Sequence, residues 1–282
     1  MGLIKAEFAK IYRAGWTYAV IIGMNSFSIV LFGIFMLLFL KSTAIDDAAR
    51  LSSDYAMQAM PFVYFIYMLE SGVFSFLSFF LMAIYIGLII GREFENGSIE
   101  LFILSPYRRV QIFLAKIFSI FIVYFAALLV NVIIRGIVVM IINSVHPSFS
   151  EFLQSDVLLQ IFAVTVLTDL SWIAFVMLIG MLSNGVATTV IYSLIGYFSL
   201  VVVDIVFVLG KHYEFLTKWQ LKFADYTFTA SGNVLIIEEL PKYVFGQISE
   251  LPVSFELLSV NLLYGLLFFL LAGICFNYRE VR

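Results

Sequence analysis

Few side chains in this sequence have the type and company that covalent chemistry needs. The histidines are His146 and His212, and the one cysteine, Cys275, lies inside an apolar run. No H-E-x-x-H pair occurs, so zinc hydrolysis through that motif is excluded. A single cysteine excludes an intrachain disulfide framework and a multi-cysteine metal site. The phosphate loop G-x-x-x-x-G-K-[ST] is also missing: Gly210-Lys211 is followed by His212, so this chain carries no ATPase of that type. Two groups of charge remain. Arg135, Asp169 and Asp204 stand alone in apolar surroundings, and a dense charged cluster fills residues 92–109.

The elements that must carry these residues follow from composition. Of 282 residues, 63% are hydrophobic and 12% charged, with a mean hydropathy of +1.06. Ordinary soluble domains carry about 25% charged residues. So much apolar surface cannot be hidden inside a soluble fold of this length, so the solvent is lipid. The net charge of −3 does not suggest a nucleic-acid partner, and none is expected. Apolar windows of about 20 residues predict six transmembrane helices. They cover Tyr18–Leu40, Ser71–Gly91, Ile112–Ile142, Val157–Leu182, Val186–Leu209 and Leu257–Phe276. Spans 4 and 5 are joined by Ser183-Asn184-Gly185 alone, a tight hairpin whose glycine suits a helix C-cap. The expected fold class is all-α, a polytopic membrane protein in one domain over residues 1–282.

Lys and Arg set the expected orientation. With both termini in the cytoplasm, the inner segments hold Lys5, Lys10, Arg13, Arg92, Arg108, Arg109, Lys116, Arg279 and Arg282. The outer Lys and Arg fall mostly in the two longer loops, where charge counts for less. Residues 3–16 read as an amphipathic interface helix with Ile4, Phe8, Ile11, Tyr12 and Gly15 on one face. The alternative is a simple basic start to span 1. The first apolar run is too long for a signal-peptide core and lacks a cleavage site. The outer segment 210–256 is too long for a bare loop, and its apolar pieces, broken by Gly232, Pro241, Gly246 and Pro252, predict short re-entrant helices.

The charged cluster connects spans 2 and 3. Asn96 and Ser98 suit the N-cap of a short helix over about Ile99–Leu104, which must end before Pro106. Ser105 then suits the cap of the next helix, with Pro106 at its first position. The connector is expected to present Glu93, Glu95 and Glu100 beside Arg92, Arg108 and Arg109. Glu95-x-Gly97-Ser98-x-Glu100-x-x-x-Leu104-Ser105-Pro106-x-x-Arg109, followed by Lys116, resembles the signature of type 2 ATP-binding-cassette (ABC) exporter permeases. Ser98 stands where that family has Thr, and Ala115 where it commonly has Gly. The amphipathic start, six spans, long outer segment and short basic tail resemble the same family across the chain.

The resemblance implies a coupling helix at about Glu95–Leu104, within a region 93–106, seated in a groove on a separate ABC ATPase subunit. The residues it implicates are Glu93, Glu95, Gly97, Ser98, Glu100, Leu101, Leu104, Ser105, Pro106 and Arg109. It implies no cofactor on this chain, ATP and Mg being held by the partner. It further implies a second copy or a related permease as partner, a bacterial cytoplasmic membrane, and export of an amphipathic peptide, drug or lipid-linked molecule. An ATP-independent secondary transporter or accessory membrane subunit is the alternative. Ionisable residues at membrane depth default to functional candidates. Arg135 and Asp204 share a depth at about 1.5 Å per residue, so they either pair in the outer half of the bundle or snorkel separately. Asp169 either faces a pathway at a dimer interface or is protonated and hydrogen-bonded to a neighbouring helix. Asn25 and Asn131 are expected to make interhelical hydrogen bonds. The contexts Thr168-Asp169-Leu170 and Val203-Asp204-Ile205 lack the Gly-x-Gly-Asp of intramembrane aspartyl proteases.

Overall fold

A computed structural model describes residues 6, 9, 12–26, 29–30, 74–97, 107–145, 155–212 and 255–279. All regular structure among them is helical. The helix over residues 15–26 is α1. Helix α2, Phe74–Ile86, runs without a break through a π-helical turn, Gly87–Gly91, into α3, Arg92–Glu95. The longer helices are α4 (Arg109–Val145), α5 (Ser155–Leu182), α6 (Val186–His212) and α7 (Phe255–Tyr278). Stretches of α4 (Arg109–Ile134), α6 (Val186–Val203) and α7 (Ser259–Tyr278) are long and apolar enough to cross a membrane, and α5 contributes the shorter apolar stretch Val166–Leu182. The expected outer segment 210–256, apart from its first residues in α6 and its last in α7, lies outside the described residues.

These helices are apolar on nearly every side. Met140, Leu129, Leu263 and Leu270 are all at least 63% exposed. Exposed apolar side chains all round a bundle are untenable in water and ordinary in lipid, where a helix satisfies its own backbone groups. The core lies where α2, α4, α5 and α7 meet, around Met82, Ile86, Ile120, Tyr124, Met177 and Ala272. Its broadest contact is between α5 and α7. There Gly265 lets Ser171 approach, and the Ser171 hydroxyl donates to the Asn261 carbonyl at 2.7 Å. With no hydrophobic gain in pulling helices out of lipid, such small residues and interhelical hydrogen bonds supply the cohesion. Asn25 behaves as expected, its amide donating from α1 to the Ala127 carbonyl of α4 at 3.2 Å.

Helical residues 12 and 13 are separated from α1 by a break at Ala14, whose carbonyl accepts the Thr17 N–H at 3.0 Å. Tyr12 and Trp16 are exposed beside this break, at 76% and 57%. Of the proposed amphipathic face, Gly15 is exposed like Tyr12, and Ile4, Phe8 and Ile11 lie outside the described residues.

Two small expectations need correction. Gly185 does not cap α5 in the left-handed conformation, because Gly97 is the positive-φ glycine among the described residues. Gly185 is instead the point of closest backbone approach to the π turn. A Cβ on Gly91 would stand 2.7 Å from the Gly185 carbonyl oxygen and 3.0 Å from the Thr189 hydroxyl. Second, α4 starts at Arg109 rather than at Pro106. The Arg108 N–H donates to the side-chain oxygen of Gln111 at 3.1 Å, half of a capping box, and that sets the first turn.

The glycine geometry gives a direct test. Gly91→Ala is expected to destabilise the protein by about 1–3 kcal/mol through overpacking. Gly15→Ala, with nothing within 4 Å of the added methyl, is expected to leave stability unchanged. Thermal unfolding of the two variants in the same detergent checks both; equal midpoints would contradict the backbone contact.

Candidate functional site

The charged cluster begins on the helix that carries α2 outward. Alpha-helical geometry lapses into one π turn at Gly87–Gly91, resumes over Arg92–Glu95 and stops at Asn96 and Gly97. Single π turns insert one residue and re-aim the helix beyond them. Here the glycines at both ends of the turn let it press on α6. A Cβ at Gly87 would already be 3.3 Å from the Val186 carbonyl. The stop is set by Gly97 at φ +65°, a left-handed conformation that costs other residues about 1–2 kcal/mol. Asn96, at φ −88° and ψ 0°, donates its N–H to the Arg92 carbonyl at 3.0 Å. It therefore closes the preceding helix and lacks the extended backbone of an N-cap, which corrects the sequence reading.

Glu93 and Glu95 consequently sit on a helix end that is continuous with α2, and their surroundings differ. Glu93 is 5% exposed and Lys116 on α4 is 1% exposed; the Lys116 ammonium donates directly to the Glu93 carboxylate. The sequence led us to expect Glu93 among the presented charges, whereas its side chain faces into the bundle. A lysine in a membrane-embedded helix must find an acid, and the turn of α3 delivers one. Glu95 is more open and reaches the start of α6, where its Oε2 accepts the Val186 N–H at 3.4 Å and lies beside Gly185. A carboxylate at a helix N-terminus is favoured by the helix dipole.

Basic residues complete the junction. Arg109, on the first turn of α4, donates from Nη1 to the Asn277 carbonyl at 2.8 Å and the Arg279 carbonyl at 3.3 Å. It thus caps the end of α7. Arg279 reaches across to α5, donating from Nη1 to the Met181 carbonyl and from Nη2 to the Asn184 side-chain oxygen at 2.5 Å. Its guanidinium carbon lies 3.6 Å from the centre of the Phe94 ring on α3, close enough for a cation–π contact. Burial draws the Arg279 pKa below the usual arginine value. The starting value is so high that the group remains cationic at neutral pH.

A second polar site lies deeper in the bundle. Asp169 on α5 is 3% exposed and accepts a hydrogen bond from the Tyr124 hydroxyl on α4 at 2.9 Å. Of the two sequence readings, the neighbouring-helix hydrogen bond is present. Phe79, Trp172 and Tyr197 cluster beside it with ring centres 4.6–5.1 Å apart, Phe79 stacked on Tyr197 and edge-on to Trp172. The adjoining cavity, about 10 Å³, has room for one water at most. It is no cargo site in this conformation.

Ser98, Glu100, Leu101, Leu104, Ser105 and Pro106 lie outside the described residues. Arg135 and Asp204 have helical backbones in α4 and α6, and their pairing lies outside the described side chains. Among the described residues, no group of His, Cys, Asp and Glu could hold a metal ion. Arg279, Phe94 and Tyr124 were missed from the sequence. Lys116 carried the one usable signal, since a cation inside an apolar helix demands a nearby carboxylate.

The family described as ABC-2 family transporter protein matches residues 3–199, more than half of the chain. The chain belongs to this family, that of the type 2 ABC permeases. No curated protein is significantly similar to it.

The buried ion pair yields the next test. Glu93→Gln and Lys116→Met are each expected to destabilise the protein by about 3–5 kcal/mol, because each leaves one charge buried without its partner. Glu93→Gln with Lys116→Met is expected to recover most of that loss. Unfolding midpoints of the three variants in detergent check the cycle; strictly additive losses would contradict a direct pair.

Proposed function

We propose that the chain is the membrane-spanning permease subunit of an ATP-driven exporter, with six spans and both termini in the cytoplasm. Residues 93–106 form the coupling region and face a separate nucleotide-binding subunit, which holds ATP and Mg. Closure of two such ATPases pushes the connectors of two permease chains. These chains are two copies of this one or this one with a related permease. The helix ends move with their connectors, and access to the interior alternates. The cargo is an amphipathic peptide, drug or lipid-linked molecule, and the membrane is the bacterial cytoplasmic membrane.

Membership of the ABC-2 transporter family carries this reading. The construction of the connector's two ends supports it. Gly97 ends one helix sharply and Gln111 starts the next. Glu93–Lys116 and Arg109 tie the connector's flanks to the bundle. A lever needs a stiff attachment, and a push on a slack loop would be lost in the loop. Asp169, hydrogen-bonded inside the bundle, serves packing in this account rather than ligand binding.

Glu100→Arg tests the coupling. The variant is expected to insert into the membrane normally. ATP turnover of the complex with its ATPase, measured in proteoliposomes, is expected to fall to the rate of the ATPase alone. Native turnover in that variant, with the complex intact, would contradict the assignment of residues 93–106.

A further inference from the structure

Arg279 holds more elements together than any sequence motif suggests. Its side chain binds the last-turn carbonyl of α5 (Met181), the α5–α6 turn (Asn184) and the face of Phe94 on α3, while its own carbonyl accepts from Arg109 of α4. It directly follows α7 and keeps the helical bond from its N–H to the Cys275 carbonyl at 2.9 Å. The other ties are narrower. The Glu93–Lys116 pair joins α3 to α4. The Glu95–Val186 bond that joins α3 to α6 is long, at 3.4 Å. The planar fork of arginine can satisfy two acceptors at once and still lay its face on a ring, which a lysine ammonium cannot do.

We propose that Arg279 is a positioning residue of the transport cycle: it locks α3, the α5–α6 turn and the end of α7 into one body, so that a push delivered through the connector moves all three together. This inference rests on the reading of the chain as a permease driven by a separate ATPase. A displacement arriving at Gly97 reaches Phe94 within one turn. From Phe94 the guanidinium passes it to the carbonyl end of α5 and to α7. Arg279 thus acts on the connector, although more than half of the sequence separates it from Phe94.

The test uses spin labels on Arg92 of α3 and Leu182 at the end of α5, both exposed, in a Cys275→Ser background. The full permease–ATPase complex is measured without nucleotide and after trapping with ATP and vanadate. With Arg279 present, the Arg92–Leu182 distance distribution is expected to be the same in both states. In Arg279→Ala it is expected to match the native one without nucleotide, then to shift and broaden on trapping. Arg279→Lys is expected to behave as Arg279→Ala. The proposal is overturned by a nucleotide-dependent change in the native distance, by no such change in Arg279→Ala, or by full retention in Arg279→Lys. A distribution already broadened in Arg279→Ala before nucleotide would also overturn it, marking a packing role only. Failure of an ATPase to co-purify with the native chain would strike at the permease reading itself, and the proposal would fall with it.

Discussion

A lysine buried in a lipid-facing bundle constrains everything near it. Lys116 is 1% exposed on the second turn of a long apolar helix, and an uncompensated ammonium there would cost several kcal/mol. Its partner Glu93 comes from the far side of the connector, so the two ends of that connector cannot separate without exposing or isolating both charges. The π turn, the glycine contact with Gly185 and the sharp stop at Gly97 place Glu93 where Lys116 requires it. One ion pair thus fixes the geometry at which the chain leaves and re-enters the bundle.

Around that pair the protein alternates two kinds of cohesion. In the apolar depth, helices are held by small residues and by interhelical bonds such as Ser171–Asn261 and Asn25–Ala127. At the connector end, charges bind helix termini, with Glu95 at the start of α6, Arg109 at the end of α7 and Arg279 at the end of α5. Each charge there meets a helix end of complementary polarity.

The helices were legible in the sequence because lipid imposes a crude and reliable rule: apolar runs of sufficient length become helices. The boundaries of α5, α6 and α7 fall within a few residues of those read from hydropathy. The turn at residues 183–185 was equally plain. Asn96 was misread because a residue that ends one helix has much the same composition as one that starts another; the backbone angles decided it. The inward turn of Glu93 depends on a π turn, which carries no sequence signature beyond paired glycines. Arg279 was legible as a basic flank of the last span, but its acceptors are backbone carbonyls, which any sequence provides.

The central claim is that residues 93–106 are where an ATPase subunit presses on this chain. Amide hydrogen exchange, comparing the purified chain alone with its complex with the ATPase, tests this most directly. The account predicts slowed exchange confined to residues 96–109 and the adjoining turns at 183–185, with the lipid-embedded helices unchanged. A complex that forms while these amides exchange at their free rate, with protection appearing elsewhere, would contradict it.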